Sequence, residues 1–226
     1  MISIENVSKI YSPKILALDD ISIEIANGEF VSLVGPSGAG KSTLIRLLIA
    51  QEKPTRGKIL IGGKDITNLQ RRYVPFYRRK LGVVWQDFKL LSNKTVFENV
   101  AFALEVVERP PQEISAKVPQ ILNLVGLGDK ANRFPRELSG GEIQRTAIAR
   151  SLVHEPRLLI ADEPTGNLDP INAREITNLL LKINKLGTTI LLATHNKEIV
   201  DHLKRRVVVL ESGKVASDRK IGKYSQ

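Results

Sequence analysis

A glycine-rich segment of nine residues, 35–43 (GPSGAGKST), is the feature that most constrains this chain. It follows an apolar run, Phe30–Val34, and precedes a run with helical character at residues 44–49. Glycines let the backbone curl so that successive N–H groups point inward, and a helix starting at Lys41 directs its partial positive end to the same place. The spacing G-x-x-x-x-G-K-S therefore predicts a strand, a phosphate-binding loop and a helix in succession.

Two side chains of this loop have expected chemical roles. The Lys41 ammonium is expected to reach the β- and γ-phosphates of a nucleotide, and the Ser42 hydroxyl is expected to ligate Mg²⁺. The alternative, a plain glycine-rich connection, rarely ends in Gly-Lys-Ser-Thr between a strand and a helix. The predicted phosphate-binding residues are Gly35, Pro36, Ser37, Gly38, Ala39, Gly40, Lys41, Ser42 and Thr43.

An acidic pair, Asp162 and Glu163, follows an apolar strand-like run at residues 158–161. Buried carboxylates cost several kcal/mol each unless they are paired or bind a metal, so the pair has no obvious structural use. A nucleotide site needs one carboxylate for Mg²⁺ and another for the attacking water. The pair is therefore predicted to belong to the same site as the phosphate-binding loop.

Other polar residues follow predicted strands or open predicted helices. Gln86 closes a short strand at residues 81–85, and His195 follows a buried strand at residues 188–194. Ligands bind at the carboxyl ends of parallel strands in open α/β sheets, which makes His195 a site candidate. Ser139 begins the segment SGGE, where it is either a plain helix N-cap or part of an anion site.

The remaining pattern yields several structural expectations. Residues 2–11 and 21–25 alternate as half-buried strands, and Asn27-Gly28 predicts a hairpin turn into the next strand. Residues 95–126 are helical with a break at Pro110-Pro111, and residues 170–186 form another helix. Arg206–Glu211 is expected to be the last strand, followed by a basic tail. His154 and His202 are expected to be surface residues without partners.

Two features are left with open alternatives by the residues alone. Tyr11 falls after the first strand, where it is either a ring for adenine to stack upon or an ordinary surface tyrosine. A basic stretch contains Arg71-Arg72 and residues 78–80 (RRK). A solvated surface is the favoured interpretation of that stretch, and contact with anionic lipid or with a partner is the alternative.

Composition limits the class of protein. The 226 residues include 42% hydrophobic and 26% charged residues, as in soluble globular proteins, and no apolar run is long enough to span a bilayer. The absence of cysteine excludes disulfides and thiolate metal sites, and the start of the chain lacks the pattern of a signal peptide. A net charge of +10 indicates an anionic partner: nucleotide, nucleic acid or a membrane surface.

With these pieces in order, the chain resembles the ATP-binding-cassette ATPases over nearly its whole length. The resemblance rests on the loop at 35–43, Gln86, the signature at 138–142 (LSGGE), Asp162-Glu163, Leu168-Asp169 and His195. It implies an α/β fold, with a P-loop NTPase core, an antiparallel β subdomain and an inserted α-helical subdomain. The expected single domain spans residues 1–226, with the core at about 1–86 and 157–226 and the helical subdomain at about 87–156.

In that family two cassettes meet head to tail and bury two ATPs, each between the phosphate loop of one copy and the signature of the other. The resemblance therefore implies a homodimer in the ATP-bound state. It also implies that the signature residues of one copy grip the γ-phosphate bound by the other copy. These residues are Ser139, Gly140, Gly141 and Glu142.

The resemblance further implies individual roles within an ATPase that uses Mg²⁺. Glu163 would be the general base, and His195 would hold the γ-phosphate and the attacking water. Gln86 would sense Mg²⁺, which Ser42 and Asp162 would also ligate. Tyr11 matches the aromatic residue that stacks on adenine.

Two segments resemble one branch of the family more closely. Residues 161–169 (ADEPTGNLD) are similar to the branch that serves lipoprotein release, macrolide export and cell division. Residues 74–91 are similar to cell-division ATP-binding proteins. This implies a peripheral protein on the cytoplasmic face of the inner membrane, at the division site, beneath a permease-like integral membrane partner of the FtsX kind. It would move that partner as part of the division machinery and so regulate cell-wall hydrolysis.

Two alternatives stay open at this point. One is the ATPase subunit of a lipoprotein-release or macrolide-type exporter, which uses identical chemistry. The other is a soluble cassette protein acting on DNA or ribosomes, although no nucleic acid partner is expected because the chain has no long heptad insertion and no second cassette. Three positions depart from the common pattern without removing a catalytic group: Trp85, Ile143 and Asn196.

Overall fold

Two β-sheets, one antiparallel and one mostly parallel, form the framework of the computed structural model, which describes residues 1–12 and 14–220. The strands in this part of the chain are β1 (Ile2–Tyr11), β2 (Ile15–Ile25), β3 (Phe30–Val34), β4 (Arg56–Ile61), β5 (Lys64–Asp65), β6 (Leu81–Val84), β7 (Leu158–Asp162), β8 (Thr189–Thr194), β9 (Arg206–Glu211) and β10 (Lys214–Arg219). The helices are α1 (Lys41–Leu48), α2 (Val74–Arg78), α3 (Val96–Glu105), α4 (Pro111–Leu124), α5 (Gly140–Leu152), α6 (Pro170–Lys185) and α7 (Lys197–Leu203).

The larger sheet has the order β10-β9-β3-β8-β7-β6, and its strands from β9 to β6 are parallel. Parallel strands present their carboxyl ends at one edge, so the residues that follow β3, β6, β7 and β8 meet there. The smaller, antiparallel sheet has the order β2-β1-β4-β5. The predicted α/β fold with an antiparallel sheet is confirmed.

The pleat of the larger sheet divides the core into two layers. In β7, Leu158 and Ile160 pack with α1 and the smaller sheet, whereas Leu159 and Ala161 pack with the helices on the opposite face. Successive side chains of a strand point to opposite faces, so a strand buried on both faces reads as a continuous apolar run. Helix α1 therefore lies between the two sheets, and helices α3 to α6 cover the other face.

Side-chain caps fix where several helices begin. Thr95 caps α3 through a reciprocal capping box with Glu98, and the Asp169 carboxylate accepts from the N–H groups of Ile171 and Asn172 at the start of α6. Such caps satisfy N–H groups that have no partner within the helix. The helices expected at 95–126 and 170–186 are confirmed, with the expected break before Pro111.

The hairpin expected at Asn27-Gly28 is wrong, because β2 and β3 belong to different sheets. Both edges of β3 are occupied, by β8 and by β9. The turn is held from the larger sheet instead: Gly28 N–H donates to Thr189 Oγ1 at 2.9 Å, and Asn184 Nδ2 donates to Gly28 O at 2.9 Å.

Three further expectations are corrected. Arg206–Glu211 is not the last strand, since β10 follows it and pairs with it antiparallel at the sheet edge. The expected basic tail falls partly on residues 221–226, which lie outside the described residues. His154 is half-buried and its Nε2 lies 3.0 Å from Leu81 O. His202 is exposed, as expected, but it has a partner: its Nε2 lies 3.0 Å from Asn178 Oδ1. Among the described residues, no helix has both the length and the hydropathy needed to cross a bilayer.

Candidate nucleotide site

The loop after β3 has a backbone that only glycine can adopt at two positions. Gly40 has φ 104°, and a Cβ there would lie 2.6 Å from Leu18 Cδ2 and 2.7 Å from Ala17 O. A Cβ on Gly35 would lie 2.2 Å from the Leu210 carbonyl oxygen. The loop is therefore pressed against neighbouring backbone, which leaves its inner surface open for an anion.

Lys41 begins α1 and is 8% exposed. Its ammonium donates to Gly35 O at 2.6 Å and to Pro36 O at 3.1 Å, so it lies across the curve of the loop. Residues 36–43 line a cleft of about 530 Å³ together with Ala17, Gln86, Glu163 and His195. The structure thus brings the predicted loop, glutamine, glutamate and histidine to one cleft.

Asp162, at the end of β7, has the features of a metal ligand. Burial raises the pKa of its carboxyl group, the negative charge of Glu163 raises it further, and the Ser42 hydroxyl and the Lys41 charge oppose both effects. Its Oδ1 is buried without a hydrogen-bond partner in the described part of the chain. An orphaned carboxylate oxygen beside the Ser42 hydroxyl fits Mg²⁺, which binds few protein ligands and keeps phosphates and waters for the rest.

Glu163 and His195 form a pair among the residues that line the cleft. The Glu163 Oε1 lies 2.8 Å from the His195 Nδ1, and the Glu163 N–H donates to Ala193 O at 2.9 Å. Glu163 has φ 47°, in the left-handed region that a residue with a side chain seldom adopts. Such strain is found at functional sites, where it directs a side chain to a required position.

Gln86 is tethered by a residue that sequence reasoning assigned no role. The Gln86 Nε2 donates to Asn167 Oδ1 at 3.3 Å, and Asn167 Nδ2 donates to Gln86 O at 3.2 Å. Gly166 leaves room for this contact, since a Cβ added at that position would lie 3.1 Å from Gln86 Nε2. The loop after Glu163 therefore holds the predicted Mg²⁺-sensing side chain.

The signature segment lies apart from this cleft, and none of its residues is among those that line it. Ser139 caps α5 by a capping box: its Oγ accepts from Glu142 N–H at 3.3 Å, and its N–H donates to Glu142 Oε2 at 2.8 Å. The Ser139 N–H lowers the pKa of the Glu142 carboxyl group. Gly141 packs against α6, where a Cβ would lie 2.1 Å from Asn172 Oδ1.

Tyr11 also lies outside the lining of the cleft. Its hydroxyl donates to Glu52 Oε2 at 2.5 Å, and the Lys9 ammonium lies 5.0 Å from the centre of its ring. Glu52 Oε1 also lies 3.6 Å from Arg46 Nη1 on α1, so Glu52 connects the end of β1 to the helix that follows the phosphate loop. The role of Tyr11 as an adenine platform stays a prediction.

Two tethers made by residues of α5 were not foreseen. Gln144, fully buried on α5, donates from Nε2 to Pro164 O at 2.6 Å, directly after Glu163. Arg150 donates to Lys89 O at 2.6 Å and to Phe88 O at 3.0 Å. For the Gln144 contact, the only signal in the sequence was a polar residue at a position of α5 that the helical period buries.

Comparisons with known proteins agree with this geometry. The family described as ABC transporter matches residues 18–166. The cell division ATP-binding protein FtsE of Bacillus subtilis (strain 168) is 53% identical over 224 residues, which are 99% of this chain and 98% of that protein. The protein of the same name from Mycobacterium tuberculosis (strain ATCC 25618 / H37Rv) is 52% identical over 225 residues, again 99% and 98%.

Solved structures give the same result. The dimeric post-hydrolysis structure of the ATP-binding cassette MJ0796, bound to ADP and Pi, superimposes with a TM-score of 0.88 at 34% identity, covering 99% of this chain and 100% of that one. The resemblance predicted from the motifs, the ABC ATPase fold and the ATPase activity are confirmed: the chain belongs to the ABC transporter family.

Proposed function

We propose that this chain hydrolyses ATP as one half of a cassette homodimer and thereby drives an integral membrane partner of the FtsX kind in bacterial cell division. The observation that carries the proposal is the single cleft that unites the phosphate loop, Gln86, Glu163 and His195. The cell-division assignment is supported by relatives named FtsE that match nearly the whole chain.

The chemistry follows from the positions of the side chains. Lys41 binds the β- and γ-phosphates, and the loop N–H groups bind the remaining phosphate oxygens. Glu163 takes a proton from the attacking water, a contribution of about 10²–10⁴-fold in rate for a well-placed base. His195, 2.8 Å from Glu163, orients that carboxylate and contacts the γ-phosphate.

Ser42, Asp162 and Gln86 are the residues that would hold Mg²⁺. When bound, the ion would supply electrostatic neutralisation of the charge that develops on the phosphates. Burial and the charge of Glu163 raise the pKa of Asp162, and a bound cation would offset the cost of its negative charge. We therefore expect nucleotide and Mg²⁺ to bind together.

The dimer explains why the signature lies outside the cleft. Ser139, Gly140 and Gly141 form the N-terminal end of α5, a helix of 13 residues, and such an end is an anion site. With Glu142 as the capping partner of Ser139, this end would bind the γ-phosphate of the ATP held by the other copy. In this arrangement Tyr11 would stack on the adenine bound by its own chain.

The membrane partner would contact the segment that follows Gln86. Phe88 and Lys89 have φ 55° and 50°, and Arg150 holds their carbonyl groups from α5. This segment joins the proposed core, at about residues 1–86 and 157–226, to the proposed helical subdomain, at about residues 87–156. The chain would work on the cytoplasmic face of the membrane, at the division site, without a nucleic acid partner.

The chemical part of the proposal is tested with Glu163→Gln. The variant should lose at least about 99% of ATP turnover, since the base is removed, while it still binds ATP. Light scattering should then show an ATP-dependent dimer that persists. The control is Glu211→Gln, the same substitution at an exposed glutamate that ends β9. This variant should hydrolyse ATP at the parent rate. Hydrolysis at the parent rate by Glu163→Gln would refute the role of the base.

The partner segment is tested with Phe88→Ser. Basal ATPase should be unchanged, but co-purification with the FtsX-type protein should fall, since a half-buried aromatic side chain of the contact is lost. Leu186→Ser, at an exposed leucine directly after α6, is the control. Unchanged co-purification of Phe88→Ser would remove the reason for placing the partner at this segment.

A further inference from the structure

Helix α2 and the turn before it carry exposed rings and cations that the proposed ATPase cycle does not use. We call this surface the α2 patch. It consists of Arg71, Arg72, Tyr73, Phe76, Arg79 and Lys80.

One face of α2 is fixed to the end of α1. The Tyr77 hydroxyl donates to Leu48 O, and Arg78 donates from Nε to Ile49 O at 3.0 Å and from Nη2 to Ala50 O at 3.3 Å. These bonds satisfy carbonyl groups that the last turn of a helix leaves without partners. Helix α2 is therefore anchored through Tyr77 and Arg78, whereas all six residues of the α2 patch are exposed.

The rings of the α2 patch are unusually exposed for aromatic side chains. Tyr73 is 47% exposed and Phe76 is 58% exposed, three residues further along. The Arg72 guanidinium lies 4.8 Å from the centre of the Tyr73 ring, and the Arg79 guanidinium lies 5.2 Å from the centre of the Phe76 ring. Each ring thus stands beside a cation.

The cations of the α2 patch form no salt bridge with any carboxylate in the described part of the chain. A groove beside Tyr73 and Phe76 adds Lys64 and Arg157 to the same side of the molecule. It also contains Asp65 and Glu155, and Glu155 is paired with Lys117 at 3.0 Å. The surface therefore carries an excess of positive charge that no carboxylate of residues 1–12 and 14–220 neutralises through a salt bridge.

The α2 patch lies near the amino end of β6, whereas the nucleotide cleft lies at the carboxyl ends of the parallel strands. Lys80 directly precedes β6, whereas Gln86 follows the carboxyl end of that strand. Likewise α1 begins at the phosphate loop, and the anchor of α2 is at the far end of α1. The α2 patch is thus a surface separate from the cleft.

We propose that the α2 patch docks the cassette on anionic lipid headgroups of the membrane surface. Arginines and lysines are attracted to phosphate headgroups, and exposed aromatic side chains insert at the boundary between headgroups and acyl chains. Both components are present on the anchored helix α2 and the residues directly before and after it, and together they complement the charge and the polarity gradient of such a surface. The inference rests on the proposed function for its membrane location, since it adds a second contact beside the protein partner.

The electrostatic part is tested by co-sedimentation of the full chain with vesicles. The probes are phosphatidylcholine vesicles with and without phosphatidylglycerol. Arg71→Gln/Arg72→Gln should lower the partition coefficient on the anionic vesicles about 30-fold, from the loss of two cations near the surface. Lys182→Gln/Lys185→Gln, on exposed lysines of α6, removes the same charge and should change it by less than about threefold.

The aromatic part is tested with Phe76→Ser, which should weaken binding about tenfold because an inserted ring is lost. Leu186→Ser, which changes another exposed apolar residue, should have no effect. Circular dichroism and basal ATPase, both expected to stay unchanged, show that the variants fold.

Three results would overturn the inference. The first is no binding of the chain to anionic vesicles, and the second is an equal loss of vesicle binding in Arg71→Gln/Arg72→Gln and in Lys182→Gln/Lys185→Gln. The third is that Arg71→Gln/Arg72→Gln binds vesicles like the parent but no longer co-purifies with the integral partner. The last result would assign the α2 patch to a protein. Glu163→Gln should bind vesicles like the parent, so failure of the lipid contact and failure of the hydrolysis proposal are read separately.

Discussion

Gln144 offers a test of how α5 supports the catalytic carboxylate. It is fully buried, and its Nε2 donates to Pro164 O at 2.6 Å. Pro164 is the residue after Glu163, whose own backbone is in the left-handed region. We therefore expect Gln144 to be a positioning residue, which acts on the reaction through Glu163.

The change Gln144→Leu separates stability from catalysis because two terms oppose each other. Loss of the donor leaves the Pro164 carbonyl unpaired, at a cost of about 1–3 kcal/mol. The Gln144 Oε1, however, is buried without a hydrogen-bond partner among the described residues, and replacement by leucine removes that cost, which is of similar size. The net change in the free energy of unfolding should stay within about 1.5 kcal/mol.

Catalysis should respond to the loss of this tether through the position of Glu163. Displacement of a catalytic group by about 1 Å can cost up to about 10²-fold in rate. For a loop that loses one of its tethers we expect kcat to fall about tenfold, or about 1.4 kcal/mol in activation free energy. The KM for ATP should be unchanged, since no residue that contacts the phosphates is altered.

The assay is steady-state ATPase kinetics together with urea unfolding. Thr177→Val is the control, because Thr177 is a buried polar residue of α6 that donates to Ala173 O at 2.7 Å and lies away from the cleft. It should change stability by a similar amount with kcat unaffected. The reasoning is refuted if Gln144→Leu keeps the parent kcat, or if KM rises while kcat stays constant.

Two further predictions concern the phosphate loop and a half-buried histidine. Lys41→Ala should weaken ATP binding, measured by calorimetry, at least about 100-fold, because Lys41 is the one lysine or arginine among the described residues that line the cleft. The exposed control Lys58→Ala should bind ATP like the parent. Burial lowers the pKa of His154, partly offset by its contact with Leu81 O, so the unfolded chain binds the extra proton first as the pH falls. The free energy of unfolding should therefore decrease below about pH 6.5, with a slope of at most about 1.4 kcal/mol per pH unit. Urea unfolding of His154→Gln should show a smaller dependence on pH, whereas the exposed control His202→Gln should behave like the parent.

Local patterns were sufficient to predict the elements that carry the cleft. The phosphate loop needs particular glycines and a lysine within nine consecutive residues, so its whole requirement is visible in the sequence. The strand before Asp162 and the strand before His195 are buried on both faces, and each reads as an apolar run. Since parallel strands end at one edge, the meeting of Glu163 and His195 followed from those runs.

Pairings that depend on competition between distant segments could not be predicted in this way. The Asn27-Gly28 turn has the composition of a hairpin, but β8 and β9 occupy both edges of β3. Strand β10 has a polar, alternating sequence that resembles a tail and is stabilised by its pairing with β9. The Gln86–Asn167 contact joins residues 81 positions apart, and no local period reports it.

The two anion sites of the proposed dimer are mechanically connected within one chain. The N-terminal end of α5 would bind the ATP of the other copy, and Gln144, one turn further along α5, holds the residue after Glu163. A shift of α5 on closure would therefore move the Pro164 carbonyl and with it the carboxylate that serves the chain's own ATP. A lone subunit lacks this input, which gives a physical reason to expect hydrolysis only when two copies engage.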